Sequence, residues 1–430
     1  MDYTQRLQRV IPGGAHTYSR GADQFPANAP NILSRGKGAY VFDEKGTRYL
    51  DYGMALRAVT IGYAEDEIDE AAIREIRNGN NLTRPSIIEL EAAESLCSLI
   101  KSAEMVKFAK NGSNSVSAAV KLARAFTGRE LIARCAQHPF FSFDDWFIGS
   151  TLITRGIPVS TVSQTKLFHY GDISSLENLF EEFPSQIACV VLEPATLDHP
   201  PKGYLQQVRT LCSDLGVILI LDEMITGFRW HMKGAQHYYQ VMPDLCTFGK
   251  GMANGYSVSC VAGRREIMEL GSIGPEGQER VFFLSTTHGA EMCGMGAFVA
   301  TARYMQREAV VDHLWSYGRR LIELMNNVAR EYGVDGSFKA AGVPCSPYFV
   351  TLDFKGEPSL PLRTLFSQEM IRNGVLMPWL SLSYRHREEE FSLTEKALRA
   401  TFEVYRKALR NGVETYLLGP VLKPVFRKFN

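Results

Sequence analysis

Between about residue 60 and residue 300 the chain alternates short, β-branched apolar runs with stretches whose apolar residues recur at helical spacing. A strand covered on both faces has no polar side to show and reads as an unbroken apolar run, whereas a helix lying on a sheet shows one apolar stripe. The alternation therefore predicts an α/β domain with a mostly parallel sheet covered on both faces, its strands at 106–109, 131–135, 188–192, 217–221, 245–248 and 258–262. Helix ends are marked as well. Ser86 followed by Glu89 makes a capping box ahead of Leu90, Leu96, Leu99 and Ile100, and Val116, Val120 and Ala123 repeat at helical spacing before Gly128 stops the turn.

After about residue 310 the texture changes to a long amphipathic helix from Val310 towards Tyr332, then a strand-like segment at 348–354. A last helix, begun by Thr394 and ended by Gly412, carries Leu398, Phe402, Tyr405 and Leu409 on one stripe. This predicts a large domain over 59–309 and a smaller α+β domain over 310–430. The first 55 residues hold Ile11-Pro-Gly-Gly14 and a hairpin-like run at 40–50, with too few apolar residues to stand alone, so they are expected to pack on another element.

Composition narrows the function classes. A chain of 430 residues, 45% hydrophobic, exceeds what one compact domain usually holds. Lysine plus arginine and aspartate plus glutamate both number 47, so no long-range field recruits nucleic acid or an anionic membrane, and a small-molecule partner is the better expectation. The cysteines, at 97, 135, 189, 212, 246, 260, 293 and 345, never fall as CxxC. They read as buried free thiols in a reducing cytoplasm, not as a disulfide frame or a zinc site. Met1 to Gly14 has no apolar signal core, and apolar runs elsewhere break long before the ~20 residues a membrane span needs. A soluble cytoplasmic protein is expected.

The candidate chemistry begins at Leu219-Ile-Leu-Asp-Glu-Met224, where an apolar strand delivers Asp222 at its carboxyl end, the edge at which open α/β sheets build ligand sites. About thirty residues on, Leu245-Cys-Thr-Phe-Gly-Lys250 is a second short strand ending in a lysine beside glycines. That setting suits a Schiff-base amine. Upstream, the run at 106–109 leads into Lys110-Asn-Gly-Ser-Asn-Ser115 and a helix, a junction whose backbone N–H groups make a ready phosphate seat. Each signal is weak alone; their order and spacing carry the weight.

Leu221-Asp-Glu-Met-Ile-Thr-Gly-Phe-Arg229, Phe248-Gly-Lys-Gly-Met-Ala-Asn-Gly255 and Ser285-Thr-Thr-His-Gly-Ala-Glu291 resemble the signature segments of class III, fold-type I aminotransferases, within them the glutamate-1-semialdehyde 2,1-aminomutase-like group. The resemblance runs nearly end to end. It implies a pyridoxal 5′-phosphate (PLP) transferase with a large, mostly parallel seven-stranded sheet domain, a small α+β domain to which 1–58 also contributes, and a homodimer with active sites at the interface. It further implies that Lys250 carries the cofactor and shuttles the substrate proton while Asp222 keeps the pyridine nitrogen protonated. Gly112 and Ser113, with Asn114 beside them, would bind the phosphate; Thr286, or with less weight Thr287, would reach it from the neighbouring subunit. Phe140 and Met224 would cover the two ring faces, and Glu193 matches a glutamate near the cofactor. Arg20 sits where the aminomutases hold an arginine for the substrate carboxylate, and Arg57 is a candidate for a second acidic group.

Two departures stand out. The family's Tyr-His-Gly is here Phe140-Phe141-Ser142, and its Ser-Gly-Thr-Glu-Ala is Asn111-Gly-Ser-Asn-Ser115. They favour a divergent aminotransferase over an intramolecular aminomutase, and the resemblance to divergent members implies a polysaccharide or specialised-metabolite pathway; the intact Lys250 argues against a non-catalytic relative that binds PLP. His138, His169 and His288 lack metal-ligand spacing and read as ordinary polar residues, so no metal is expected.

Overall fold

The computed structural model describes residues 2–274 and 276–430. Its strands are β1 (Leu33–Lys37), β2 (Tyr40–Asp43), β3 (Arg48–Asp51), β4 (Met105–Ala109), β5 (Leu131–Cys135), β6 (Thr165–Phe168), β7 (Ile187–Leu192), β8 (Ile218–Asp222), β9 (Leu245–Phe248), β10 (Ser259–Gly263), β11 (Phe338–Ala341), β12 (Tyr348–Thr351) and β13 (Val375–Leu376). The chain divides into two compact units: the described part of Met1–Glu65 with Asp312–Arg427, and Asp66–Val311 with Lys428–Asn430.

The second unit is built on a seven-stranded sheet in the order β4-β10-β9-β8-β7-β5-β6. From β9 through β8, β7 and β5 to β6 all pairings are parallel, while β10 runs antiparallel to both β9 and β4. β4 thus points the same way as the parallel set. The carboxyl ends of β4 to β9 meet the amino end of β10 at one edge.

All six apolar runs read from the sequence are strands, 131–135 and 245–248 with the same bounds and the rest within one residue. Their side chains explain why: every residue of β7, β8, β9 and β10 is buried. β6 gave no such signal. It is four residues long, contains Thr165 and Lys166, and pairs with β5 alone at the sheet edge. On one face the sheet buries Val190, Leu192, Leu219 and Leu221 against Leu205, Val208 and Cys212 of the helix Tyr204–Asp214. Across β7, β8, β9 and β10 lies the helix Gly112–Thr127, burying Val116, Ala119, Val120 and Ala123. Gly128, at φ +66°, ends it as read.

The Ser86 capping box is present, with the Glu89 carboxylate accepting from the Ser86 N–H at 2.7 Å. The inward stripe, however, is Ile88, Ala92 and Leu96. Leu90 is 60% exposed, because a residue two positions from Ile88 is turned some 200° around the helix.

In the first unit β2 and β3 form the expected hairpin, extended by β1 on one side and on the other by β13, which pairs parallel to β3 with Val375 opposite Leu50. The amino-terminal segment therefore completes its sheet with a strand from the far end of the chain. The same unit contains the β11–β12 hairpin and the helices Leu360–Arg372 and Glu388–Asn411. The last helix starts six residues before Thr394. Its first turn holds Glu388, Glu389 and Glu390, favourable at the positive helix end, and the Glu390 carboxylate accepts from the Arg387 N–H at 2.9 Å. Thr394 is a helix-interior residue whose hydroxyl donates back to the Glu390 carbonyl at 2.7 Å.

Candidate functional site

Asp222 ends β8 and is buried. Its Oδ1 accepts from the Met224 N–H at 2.9 Å and from the Thr247 hydroxyl at 3.1 Å, and among the described residues no hydrogen bond falls on Oδ2. Burial pushes its carboxyl up to about 6; the Met224 N–H, the Lys250 charge and the Thr247 hydroxyl act in the opposite direction. Glu223, the next residue, is also buried but its carboxylate is occupied. It accepts from Thr226 Oγ1 at 3.1 Å, from the Gln236 N–H at 3.0 Å and from the Ala235 N–H. Of the two adjacent acids, Asp222 alone keeps an oxygen for something else.

Lys250 follows β9 and Gly249. Its φ is +46°, as is that of Asn254 after the intervening helical turn Lys250–Ala253. A non-glycine residue in the left-handed region costs on the order of 1 kcal/mol and persists where its surroundings over-determine it, which is common at reactive sites. Met224 links this turn to the next strand-end. A Cβ on Gly249 would lie 2.6 Å from the Met224 sulfur, and one on Gly112 3.0 Å from it. Glycine at both places lets the thioether sit between the lysine turn and the helix start without having to shift.

That helix start follows β4. Asn111 caps it, its side chain accepting from the Asn114 N–H at 3.0 Å, which leaves Gly112 and Ser113 ahead of the first intrahelical bond with their N–H groups directed out of the helix. Ser113 Oγ accepts from the Phe143 N–H at 3.1 Å. Ser259, at the amino end of β10, donates to the Asn111 carbonyl at 2.7 Å and accepts from Ser115 at 2.9 Å. The junction is thus pinned from below.

Beyond the end of β5, Phe140 is 46% exposed, packed edge-on against Phe147, while Phe141 is buried. Ser142, in the departed triplet, is a structural link: its hydroxyl shares a 3.0 Å bond with Ser117 and accepts from the Asp144 N–H at 3.0 Å. Glu193 follows β7, buried, and its N–H donates to His138 Nδ1 at 3.0 Å. Burial, with the Arg134 charge adding to it, pushes His138 down to about 3, so the ring is neutral. Thr286 and Thr287 are exposed, the Thr287 carbonyl accepting from Asn81 Nδ2 at 3.0 Å. An ion pair between Lys110 and Glu291 ties this segment to the end of β4.

Asp222, Glu193, Met224, Lys250, Gly112, Ser113, Asn114, Phe140, Thr286 and Thr287 all belong to the second unit. Arg20 and Arg57 belong to the first. Arg20 is exposed, its charge acting on Tyr63, whose hydroxyl donates to Asp51 at 2.7 Å. Arg57 closes a run of four left-handed residues, Met54 to Arg57, anchored where Asp51 accepts from the Gly53 and Met54 N–H groups at 2.6 and 3.0 Å.

The donor set fits PLP. Gly112 and Ser113 offer N–H groups at a helix N-terminus for a phosphate, Asp222 Oδ2, on a buried residue, is an open acceptor for a ring N–H, and Lys250 is an amine whose charge is felt at Asp222. Sequence reading missed Thr247 and treated His138 as an ordinary polar residue. Their signal lies in pairing across the sheet: Thr247 stands in register with Asp222, and His138 meets the residue after β7.

Residues 19–350 match the model of the class-III aminotransferase family. The 3-aminobutyryl-CoA aminotransferase of Cloacimonas acidaminovorans (strain Evry) is 32% identical over 419 residues, covering 95% of this chain and 98% of the relative. Among solved structures, the FumI protein of Sphingopyxis sp. MTA144 superposes with a TM-score of 0.86 at 26% identity, covering 97% of both chains. A glutamate-1-semialdehyde-aminomutase from Pseudomonas aeruginosa PAO1 superposes with a TM-score of 0.82 at 18% identity, covering 94% of each chain, a likeness of fold.

Proposed function

The chain belongs to the class-III aminotransferases and is a PLP-dependent enzyme, and from that premise we propose that it moves an amino group between a small β-amino acyl substrate and a keto-acid acceptor, working as a homodimer. The substrate class rests on the relative named for 3-aminobutyryl-CoA, whose amino group stands on the third carbon of the acyl chain. The chemistry rests on one observation: a buried acid with an open oxygen, a lysine whose charge reaches it, and a helix N-terminus all arrive at one sheet edge.

When bound, PLP supplies an aldehyde for the lysine and a ring that draws off the electron pair left when the substrate's C–H bond breaks. Each protein group then has a defined task. Lys250 Nζ would take the proton from the substrate carbon bearing nitrogen and later return one. Asp222 holds the proton on the ring nitrogen. Gly112 and Ser113 bind the phosphate through N–H and hydroxyl, with the Asn114 side chain beside them. Phe140 and Met224 would cover the ring, and Glu193 would lie near the cofactor. Thr286, in preference to Thr287, completes the phosphate seat of the neighbouring subunit, which makes a lone chain incomplete. Arg20 and Arg57 are assigned to acidic groups of the substrates.

Among the described residues no helix is long and apolar enough to cross a membrane. The cysteines are free thiols, all buried or half-buried, which suits a reducing cytoplasm.

The test mixes the PLP-loaded protein with single amino donors, 3-aminobutyrate, its CoA thioester and glutamate among them, and follows the cofactor's visible absorbance. A donor that bleaches the band, with recovery on adding a keto acid, is the expected outcome. Isomerisation of an amino-aldehyde or a diamino acid without any keto acid would put an aminomutase in its place.

A further inference from the structure

Thr247 lies within β9, fully buried, in register with Asp222 on β8. Its carbonyl accepts from the Glu223 N–H at 2.9 Å as part of the sheet edge. Its hydroxyl does something the sheet does not require: it donates to Asp222 Oδ1 at 3.1 Å, the same oxygen that accepts from the Met224 N–H at 2.9 Å. Two donors on one oxygen fix the rotation of the carboxylate about its last bond. They also leave Oδ2, on which no hydrogen bond falls among the described residues, in a single orientation.

The two donors differ in origin. The Met224 N–H is backbone and comes with any residue at that place, whereas the hydroxyl exists because position 247 is threonine. Valine has nearly the same shape and is at least as well suited to a buried central strand, so packing alone gives no reason for an O–H group there. A hydrogen bond from that O–H favours the ionised carboxylate, against the burial that disfavours it.

We infer that Thr247 is a positioning residue for the cofactor, its hydroxyl locking Asp222 Oδ1 so that Oδ2 is presented to the pyridine nitrogen. The inference rests on the assignment of Asp222 to that nitrogen made above. Thr247 itself does not touch the cofactor; it acts through the aspartate.

The experiment titrates apoprotein with PLP and with 1-deaza-pyridoxal phosphate, in which a C–H replaces the ring nitrogen, and reads tryptophan fluorescence. The proteins are the natural sequence, Thr247→Val, Thr247→Ser and Asp222→Asn. Thr247→Val should weaken PLP binding by about tenfold, the loss of one charge-assisted hydrogen bond, while leaving the deaza compound's affinity within about twofold. Thr247→Ser should recover PLP binding. If Thr247→Val binds both compounds as the natural protein does, or weakens both equally, the inference is overturned. Asp222→Asn separates the two levels: if it loses the preference for PLP while Thr247→Val keeps it, the positioning role alone falls. If neither variant loses the preference, the assignment of Asp222 falls with it. Should Thr247→Val not yield folded protein, Thr247→Ala carries the same comparison.

Discussion

Two buried aspartates, Asp244 and Asp222, lie at opposite edges of the same seven-stranded sheet and are treated in opposite ways. Asp244, just before β9, has both oxygens engaged: Oδ1 accepts from Arg264 at 2.8 Å, and Oδ2 from Arg209 at 2.7 Å and the Leu219 N–H at 2.8 Å. It ties the starts of β8 and β9 to the end of β10. Asp222, at the end of β8, has both its hydrogen bonds on one oxygen and Lys250 as its cation. The first edge neutralises its buried charge within the chain; the second leaves one carboxylate oxygen without a hydrogen bond among the described residues. A carboxylate left incompletely paired in a dry site weakens the empty fold and strengthens the loaded one.

Three substitutions sharpen that contrast. The largest effect belongs to the functional edge: Lys250→Ala should abolish turnover and the visible band of the lysine-bound cofactor, while PLP added to the variant still quenches its fluorescence through the phosphate and ring contacts. Retention of full activity would overturn the mechanism. At the other edge, Asp244→Ala strands Arg209 and the Leu219 N–H and should lower stability in urea by about 3 kcal/mol. Its discrimination between PLP and the deaza compound should stay unchanged, because nothing at the cofactor edge has moved. If discrimination falls as far as stability, the two edges are not separable.

The smallest effect, and the most telling in sign, is Asp222→Asn. The folded-state pKa of about 6 lies above the 3.8 of an exposed aspartate, so the apoprotein binds the extra proton between those values. It loses the associated stability as pH rises through about 6. Asparagine carries no charge to bury. The apo form of Asp222→Asn should therefore be more stable than the natural apoprotein at pH 8, by roughly 1 to 3 kcal/mol, with the gap closing towards pH 4. Urea midpoints at the two pH values measure it, and an apo variant less stable at pH 8 would contradict the account.

How far the sequence could be read depended on where each signal resides. Strands β7 to β10 announced themselves because burial on both faces removes polar residues from the run; β6, an edge strand with one neighbour, did not. Asp222 was legible because it ends such a run, and Lys250 because it follows one after a single glycine. The start of the last helix was misplaced because Thr394, a good cap by type, bonds backwards inside the helix, while the acidic turn before it was overlooked. Leu90 was named among the apolar residues after the capping box, but the phase set by Ile88 and Leu96 turns it out. Thr247 and His138 drew no attention in the sequence because the residue each meets, Asp222 or Glu193, lies 25 or 55 residues away.

The sequence by itself determined that this chain is a two-part α/β protein, which strands lead to an acid and an amine, and where a helix start rich in small polar residues follows a strand. Periodicity and residue type are local properties, and those features need nothing else. The order of the strands decided the rest. Placing β9 beside β8 set Thr247 against Asp222, putting β10 next to β4 pinned the helix start through Ser259, and the fold brought Gly112 and Gly249 against the Met224 thioether. Pairing across a sheet joins residues far apart in the chain, so which oxygen of a buried aspartate stays open is settled only when the strands have come together.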